Sequence, residues 1–312
     1  MMFVLRGIAI SLAASVLVYI LASLLIAQAW RLSAQMKSLP AWINADFLFG
    51  LRMLPLVVSL LLTGIFVVPS FLFLEPHSVI EPVGAVPVTL SLCFLMLFAA
   101  GWFKAVAALH RTSQMVVDWM KGGSTISRRA AIQVVQVRGA APAIAVAGIR
   151  SSRVLISEAA AAVLSEAELE TALRHEVAHV KRRDNLKKLL FRVCAFPGMA
   201  RLEEAWREAS EMAADDAAAS NSGEALDLAA ALIKLSRLAA GPAAELTTAL
   251  LHSSQAPVAV RVERLMAWND LPRRRFPLAQ VLVTVLAIVG AGMMVYSATL
   301  AQVHALTEWL VR

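Results

Sequence analysis

Four long blocks without a single charged side chain decide most of what this chain can fold into. They run from Gly7 to Ala29, Met53 to Leu74, Val83 to Phe103 and Phe276 to Val303. Each is long enough to cross a hydrocarbon core, which takes about 20 apolar residues in a helix. A charge at mid-bilayer costs roughly 2.5–3.5 kcal/mol on insertion scales, so uncharged runs of this length are what spanning helices require. Pro55 and Pro69 lie near the ends of the second block, where a missing amide hydrogen bond is tolerated. Composition agrees: 59% of the 312 residues are hydrophobic and only 16% are charged, outside the range of an ordinary soluble domain.

Charge divides the chain. Residues 104–275 hold 24 of the 29 Lys+Arg and 18 of the 22 Asp+Glu. The partition is therefore 1–103 with three transmembrane helices, a charged domain at 104–275, and 276–312 with a fourth helix and a short tail. The net charge of +7 is what positive flanks of membrane helices produce, so no direct nucleic-acid binding is expected. Cys93 and Cys194 form neither a disulfide framework nor a thiolate metal site.

Orientation follows from Lys and Arg. The first loop carries Arg31, Lys37 and Arg52, the loop from Glu75 to Glu81 carries none, and Arg273, Arg274 and Arg275 precede the fourth block. The positive-inside rule then puts the charged domain in the cytoplasm, with both termini outside an inner (plasma) membrane. Trp30 and Trp102 mark the inner interface and Trp309 the outer one. A cleaved signal peptide ending at Ala27-Gln28-Ala29 would invert this asymmetry, and the uncharged run is longer than the usual apolar core of such a peptide.

Within the charged domain, residues 104–121 continue the third helix as a stalk ending at Gly122-Gly123. Ile132 to Val137 and Ile144 to Ile156 read as strands of a small sheet, the second broken around Gly148 to Ser152 as a hairpin is. From Ser157 to Leu238 the spacing is helical, interrupted at Pro197-Gly198 and around Asn221 to Gly223. The best-defined helix starts at Ser165. Ser165 with Glu168 forms a capping box, Leu164 with Leu169 a hydrophobic staple, and Leu169, Leu173, Val177 and Val180 a buried face. Lys181-Arg182-Arg183 falls in its last turn, and Asp184-Asn185 breaks it from the next helix.

That helix contains His175-Glu176-Val177-Ala178-His179. A spacing of four puts both imidazoles on one face, where they can share one Zn²⁺, with Glu176 beside the metal as general base. The plainer alternative is two ordinary histidines on an amphipathic helix. A catalytic zinc needs a third protein ligand and an open fourth position. His77, His110 and His304 are poorly placed, so a carboxylate is the better choice. The helix from Glu203 to Ala219 offers Glu204, Glu208, Glu211, Asp215 and Asp216. Glu211 and Asp215 share a face at i, i+4, compatible with a ligand and an acceptor for a ligating imidazole, and equally with a charged solvent face.

The His-Glu-x-x-His helix, the following Lys-Arg-Arg-Asp and the later Glu211-Met212-Ala213-Ala214-Asp215 resemble the membrane-bound zinc metallopeptidases of the BlaR/MecR sensor-transducer type. They are similar also to membrane peptidases of the HtpX and CAAX-prenyl type. The resemblance implies a mainly α membrane protein with four transmembrane helices and a cytoplasmic α+β zincin-like (gluzincin) domain between the third and fourth. It implies one zinc per chain on His175, His179 and Glu211, Glu176 as base and Asp215 behind the ligands. Two departures limit it. The chain stops soon after its fourth block, so direct β-lactam sensing is not expected. Gln255-Ala256-Pro257 also stands where the HtpX group has a His-Pro pair before a late arginine. Arg261 and His252 are candidate oxyanion stabilisers, each with an ordinary surface role as the alternative.

The expected activity is zinc-dependent cleavage of a protein or peptide, such as a transcriptional repressor or the chain itself, in signalling or membrane protein quality control. The competing reading is a signalling protein using an inactive peptidase fold as a scaffold, for which an intact Glu176 has no use. A transporter is disfavoured by the absence of ionisable residues at mid-depth. If Ile144 to Ala147 is an exposed edge strand, an extended substrate could add to it; a plain structural strand is the equal alternative.

Overall fold

The first three apolar blocks form helices longer than the blocks themselves. The computed structural model describes residues 2–33, 45–76, 83–121, 123–129, 132–138, 142–149, 152–194, 196, 198–238, 248–249, 258–268 and 296–311. Helix α1 spans Met2–Ser33; α2 (Ala45–Leu62), a π-helical turn (Thr63–Val67) and α3 (Val68–Leu74) run on as one rod; α4 spans Ala85–Met120. Among the described residues these three are long and apolar enough to cross a membrane. Hydroxyls cross-link them, as is common where helices pack in lipid. Ser15 and Thr63 share a hydrogen bond of 2.9 Å, Ser59 donates to the Ser15 carbonyl at 2.7 Å and Ser91 to that of Ala9 at 2.7 Å.

Two expectations change here. The second helix starts at Ala45, so Arg52 is part of it rather than of the preceding loop, and Pro55 stands inside α2 rather than at its start. Arg6 likewise lies within α1. Both arginines are buried, which helices in lipid tolerate when the charge faces protein and is paired. Arg6 lies 2.6 Å from Glu75 and 3.2 Å from Glu308, and Arg52 lies 2.9 Å from Glu203. Of the fourth block, residues 276–295 fall outside the described ones. Helix α11 (Tyr296–Val311) continues past Val303, where a short tail was expected, and Tyr296 donates to the Ile65 carbonyl of the π turn at 2.8 Å.

The third membrane helix and the stalk are one helix, ending at Met120. Beyond it lie β1 (Ser124–Arg129), β2 (Ile132–Val137), β3 (Ile144–Ala147) and β4 (Arg153–Ser157), then α5 (Glu158–Val163), α6 (Glu166–Arg182), α7 (Asp184–Val193), α8 (Ala200–Ala218), α9 (Ser222–Ser236), β5 (Thr248–Ala249) and α10 (Val258–Met266). The mixed sheet has the order β1-β2-β4-β3-β5, with β2 and β4 parallel and the other pairs antiparallel. Ile144 to Ala147 is therefore not an open edge, since Ala145 and Val146 pair with Ala249 and Thr248. Side chains alternate across the pleat. Val134, Val146, Val154 and Ile156 join the core under α6 and α9, whereas Val135, Val137 and Leu155 pack on Trp119 at the end of α4. The membrane helix thus forms the floor of the sheet.

Helix α6 begins as its sequence dictates. Ser165 accepts from the Glu168 amide at 3.3 Å, while Glu168 accepts from the Ser165 amide at 2.7 Å and from Lys234 at 2.7 Å. The helix ends at Arg183, whose left-handed backbone (φ 56) turns the chain straight into α7. Replacing Ser165 by Ala is expected to cost about 1 kcal/mol. Thermal unfolding in detergent should show this as a fall of roughly 2–4 °C.

Candidate metal centre

One helical turn separates His175 from His179, and the sheet on one side and α8 on the other seal both rings from solvent. His175 is 0%, His179 2% and Glu211 2% exposed. The ring centroids lie 4.8 Å apart at 79°, which turns the two Nε2 atoms toward each other at 3.2 Å. Helix α8 crosses opposite them and delivers Glu211. Its Oε2 lies 3.5 Å from His175 Nε2 and its Oε1 3.6 Å from His179 Nε2. Ala214 on α8, fully buried, is small enough for the helices to approach this closely.

The outer nitrogens are held as firmly. His179 Nδ1 lies 2.7 Å from Asp184 Oδ2, which also accepts from the Ser210 hydroxyl at 2.7 Å. His175 Nδ1 lies 3.0 Å from Asp215 Oδ1, although turned off the line of a good hydrogen bond. A carboxylate on each Nδ1 favours the tautomer that leaves Nε2 with its lone pair facing the centre. Arg261 of α10, itself buried, donates to Asp215 through Nε at 2.9 Å and Nη2 at 2.6 Å, and its Nη1 lies 3.0 Å from Glu211 Oε2.

These charges set the protonation of the site. Burial alone would lower His175, but the adjacent Asp215 and Glu211 carboxylates raise it to about 9. For His179 burial prevails over Asp184, and the pKa is lowered. Burial would raise Glu211, yet His175, His179 and Arg261 together hold its carboxyl well below the usual range. Glu176 is pushed up to about 8 by burial, and neither of its oxygens has a hydrogen-bond partner among the described residues.

The donors of His175, His179 and Glu211 lie within 4.8 Å of one another. Ligands about 2.0–2.1 Å from one tetrahedral ion stand about 3.3 Å apart. The separations of 3.2, 3.5 and 3.6 Å bracket that value, and two imidazoles with one carboxylate are a donor set suited to zinc. The Glu176 carboxylate beside them has no hydrogen-bond partner among the described residues, which leaves it free to face a molecule at such an ion.

Of the other residues singled out in the sequence, Asp216 pairs with Arg264, and His110 is exposed on α4 and bonded to Gln114. Glu204 and Glu208 take no part in the cluster. His304 joins Glu75 and Glu308 in a second potential ligand group, which Arg6 already occupies as counter-charge. His77, His252 and Gln255-Ala256-Pro257 lie outside the described residues. Asp184 and Ser210 were not foreseen. The clue to Asp184 is its place directly after the last turn of α6, where a left-handed residue folds the carboxylate back under His179.

A family model described as BlaR1 peptidase M56 matches residues 70–265, more than half of the chain and every residue of the cluster. No curated protein matches the chain.

Arg261 neutralises two buried carboxylates. Arg261→Met should therefore destabilise the domain by about 3–5 kcal/mol, as breaking a buried pair from one side does. Denaturant unfolding followed by tryptophan fluorescence measures this.

Proposed function

Because the chain belongs to the M56 family of BlaR1-type peptidases, a membrane-associated metallopeptidase family, we propose that it is a zinc-dependent endopeptidase whose ligands are His175, His179 and Glu211. One observation carries this reading: three buried donors on two separate helices converge at the separations one tetrahedral ion requires.

A zinc ion held by these three residues would supply a Lewis acid able to polarise a peptide carbonyl and acidify water. Glu176, next to the ligands but not among them, takes the proton of the water that attacks the carbonyl carbon. It then returns a proton to the amide nitrogen as the C–N bond breaks. Burial pushes the Glu176 carboxyl up, and a cation held by the neighbouring ligands would bring it back down, which poises the group for both transfers near neutral pH. Asp184 and Asp215 keep the imidazoles in the required tautomer and orientation. Arg261 holds Glu211 and Asp215 in place; its three contacts to carboxylates give it this task in preference to oxyanion stabilisation.

The domain at 104–275 lies in the cytoplasm in this reading, and a fourth membrane helix at 276–303 follows it. The support is the Lys/Arg asymmetry of the loops. Substrates are protein segments, such as a repressor, a membrane protein or the chain itself, and the role is regulatory signalling or quality control.

Glu176→Gln should retain stoichiometric zinc and lose proteolysis, whereas His175→Ala should lose both. Metal analysis of purified protein and mass spectrometry of membrane and soluble fragments measure the two properties. Turnover unchanged in the Glu176 variant would refute the mechanism. A reporter fused after Gly123 should behave as cytoplasmic, and activity of an extracytoplasmic reporter alone would refute the topology.

A further inference from the structure

Arg52 is a fully buried charge in the second membrane helix that the proposed mechanism does not use. Its side chain is 1% exposed, and a charge sunk in such a helix persists where it does something for the protein. It reaches out of the bundle into the gap between α7 and α8. Nε lies 2.9 Å from Glu203 Oε1 in the first turn of α8, and Nη2 donates to the Cys194 carbonyl at the end of α7 at 2.7 Å. The same carbonyl accepts from Tyr19 of α1 at 2.9 Å. The guanidinium carbon sits 5.6 Å from the centre of the Phe191 ring. Two membrane helices thus close the unsatisfied end of α7 and fix the start of α8.

The surroundings make this a clamp rather than an isolated contact. Ala27 and Trp30 of α1 and Ala45 and Leu48 of α2 share one apolar core with Phe191 of α7 and with Leu202 and Trp206 of α8. On the far side α4 touches α7 so closely that a side chain at Gly101 would run into the Val193 carbonyl. The apex of the α7–α8 hairpin is therefore gripped by all three membrane helices.

The arms of that hairpin carry the metal centre. Asp184, which orients His179, opens α7, and Glu211 lies eight residues beyond Glu203 along the same helix, about 12 Å of rigid rod. His175 and His179 come from α6 on the sheet side. The third ligand thus reaches the other two from an element whose far end is anchored in the membrane bundle.

Resting on the ligand assignment above, we infer that Arg52 is a positioning residue: it ties the second membrane helix to the α7–α8 apex and so sets where Glu211 stands relative to His175 and His179. The metal centre is complete only when the bundle holds the hairpin at this angle.

The test uses the full chain in nanodiscs, with zinc as probe and a chromogenic chelator as competitor, alongside hydrogen exchange of α7 and α8. Arg52→Met should weaken zinc retention roughly tenfold, the scale of losing a residue that orients ligands, and speed exchange along α8. Val135→Ala, on the opposite face of the sheet, should lower stability but leave zinc retention unchanged. Arg52→Lys should restore only part of the effect, since an ammonium lacks the fork that serves Glu203 and Cys194 together. Where Arg52→Met does not accumulate, Glu203→Gln combined with Tyr19→Phe removes the ion pair and the second donor to Cys194 while keeping the buried guanidinium. Wild-type zinc affinity and exchange in either variant would overturn the inference. A wild-type chain that binds no zinc, while Arg52→Met still loosens α8, would refute the ligand assignment and leave the clamp standing.

Discussion

Two imidazole nitrogens facing each other at 3.2 Å in a solvent-free interior have to share either a proton or a metal ion between them. Around that pair the protein has gathered Glu176, Glu211, Asp184 and Asp215, all buried, with Arg261 as the buried cation touching two of them. Arg182 and Lys187 lie 3.6 and 3.7 Å from Asp184, and Lys188 adds positive charge beside Glu211 and Glu176. Burial raises Glu176, and the Asp215 and Glu211 carboxylates raise His175 against its own burial, so both groups hold a proton readily. The rest of the catalytic unit keeps this electrostatic arrangement from relaxing. Sheet and α9 back α6, α10 supplies Arg261, and α8 closes the other side.

The membrane bundle belongs to that enclosure and is not merely a tether. Trp119 at the end of α4 packs under the sheet, while the apolar core shared by α1, α2, α7 and α8 seats the opposite edge of the domain. Apolar side chains, not polar bridges, make up most of this junction. Arg52 and Tyr19, buried within it, direct donors at a carboxylate and at a backbone carbonyl.

Much of this was legible in the residues. The capping box at Ser165 and the i, i+4 histidines need only local rules, and the uncharged blocks announce the first three membrane helices. Spacing on α8 left five acids open, because choosing Glu211 and Asp215 requires knowing which face meets α6. Asp184 read as a helix break, and only the left-handed turn at Arg183 brings it under His179. Strand β1, Ser-Thr-Ile-Ser-Arg-Arg, has no apolar alternation and is made a strand by pairing with β2. Two-residue β5 lies below any sequence signal, so the sequence left open whether β3 is a free edge or a plain structural strand. Arg52 looked like a loop charge because its partners are some 150 positions away.

Helix α4 passes without interruption from Ala85 to Met120. Thirty-six residues make a rod about 54 Å long. Rotating such a rod by about 5° swings its tip roughly 5 Å, and bilayer thickness is one of the influences that set helix inclination. Since Trp119 near that tip is packed beneath the sheet, lipid composition acquires a mechanical route to the peptidase fold.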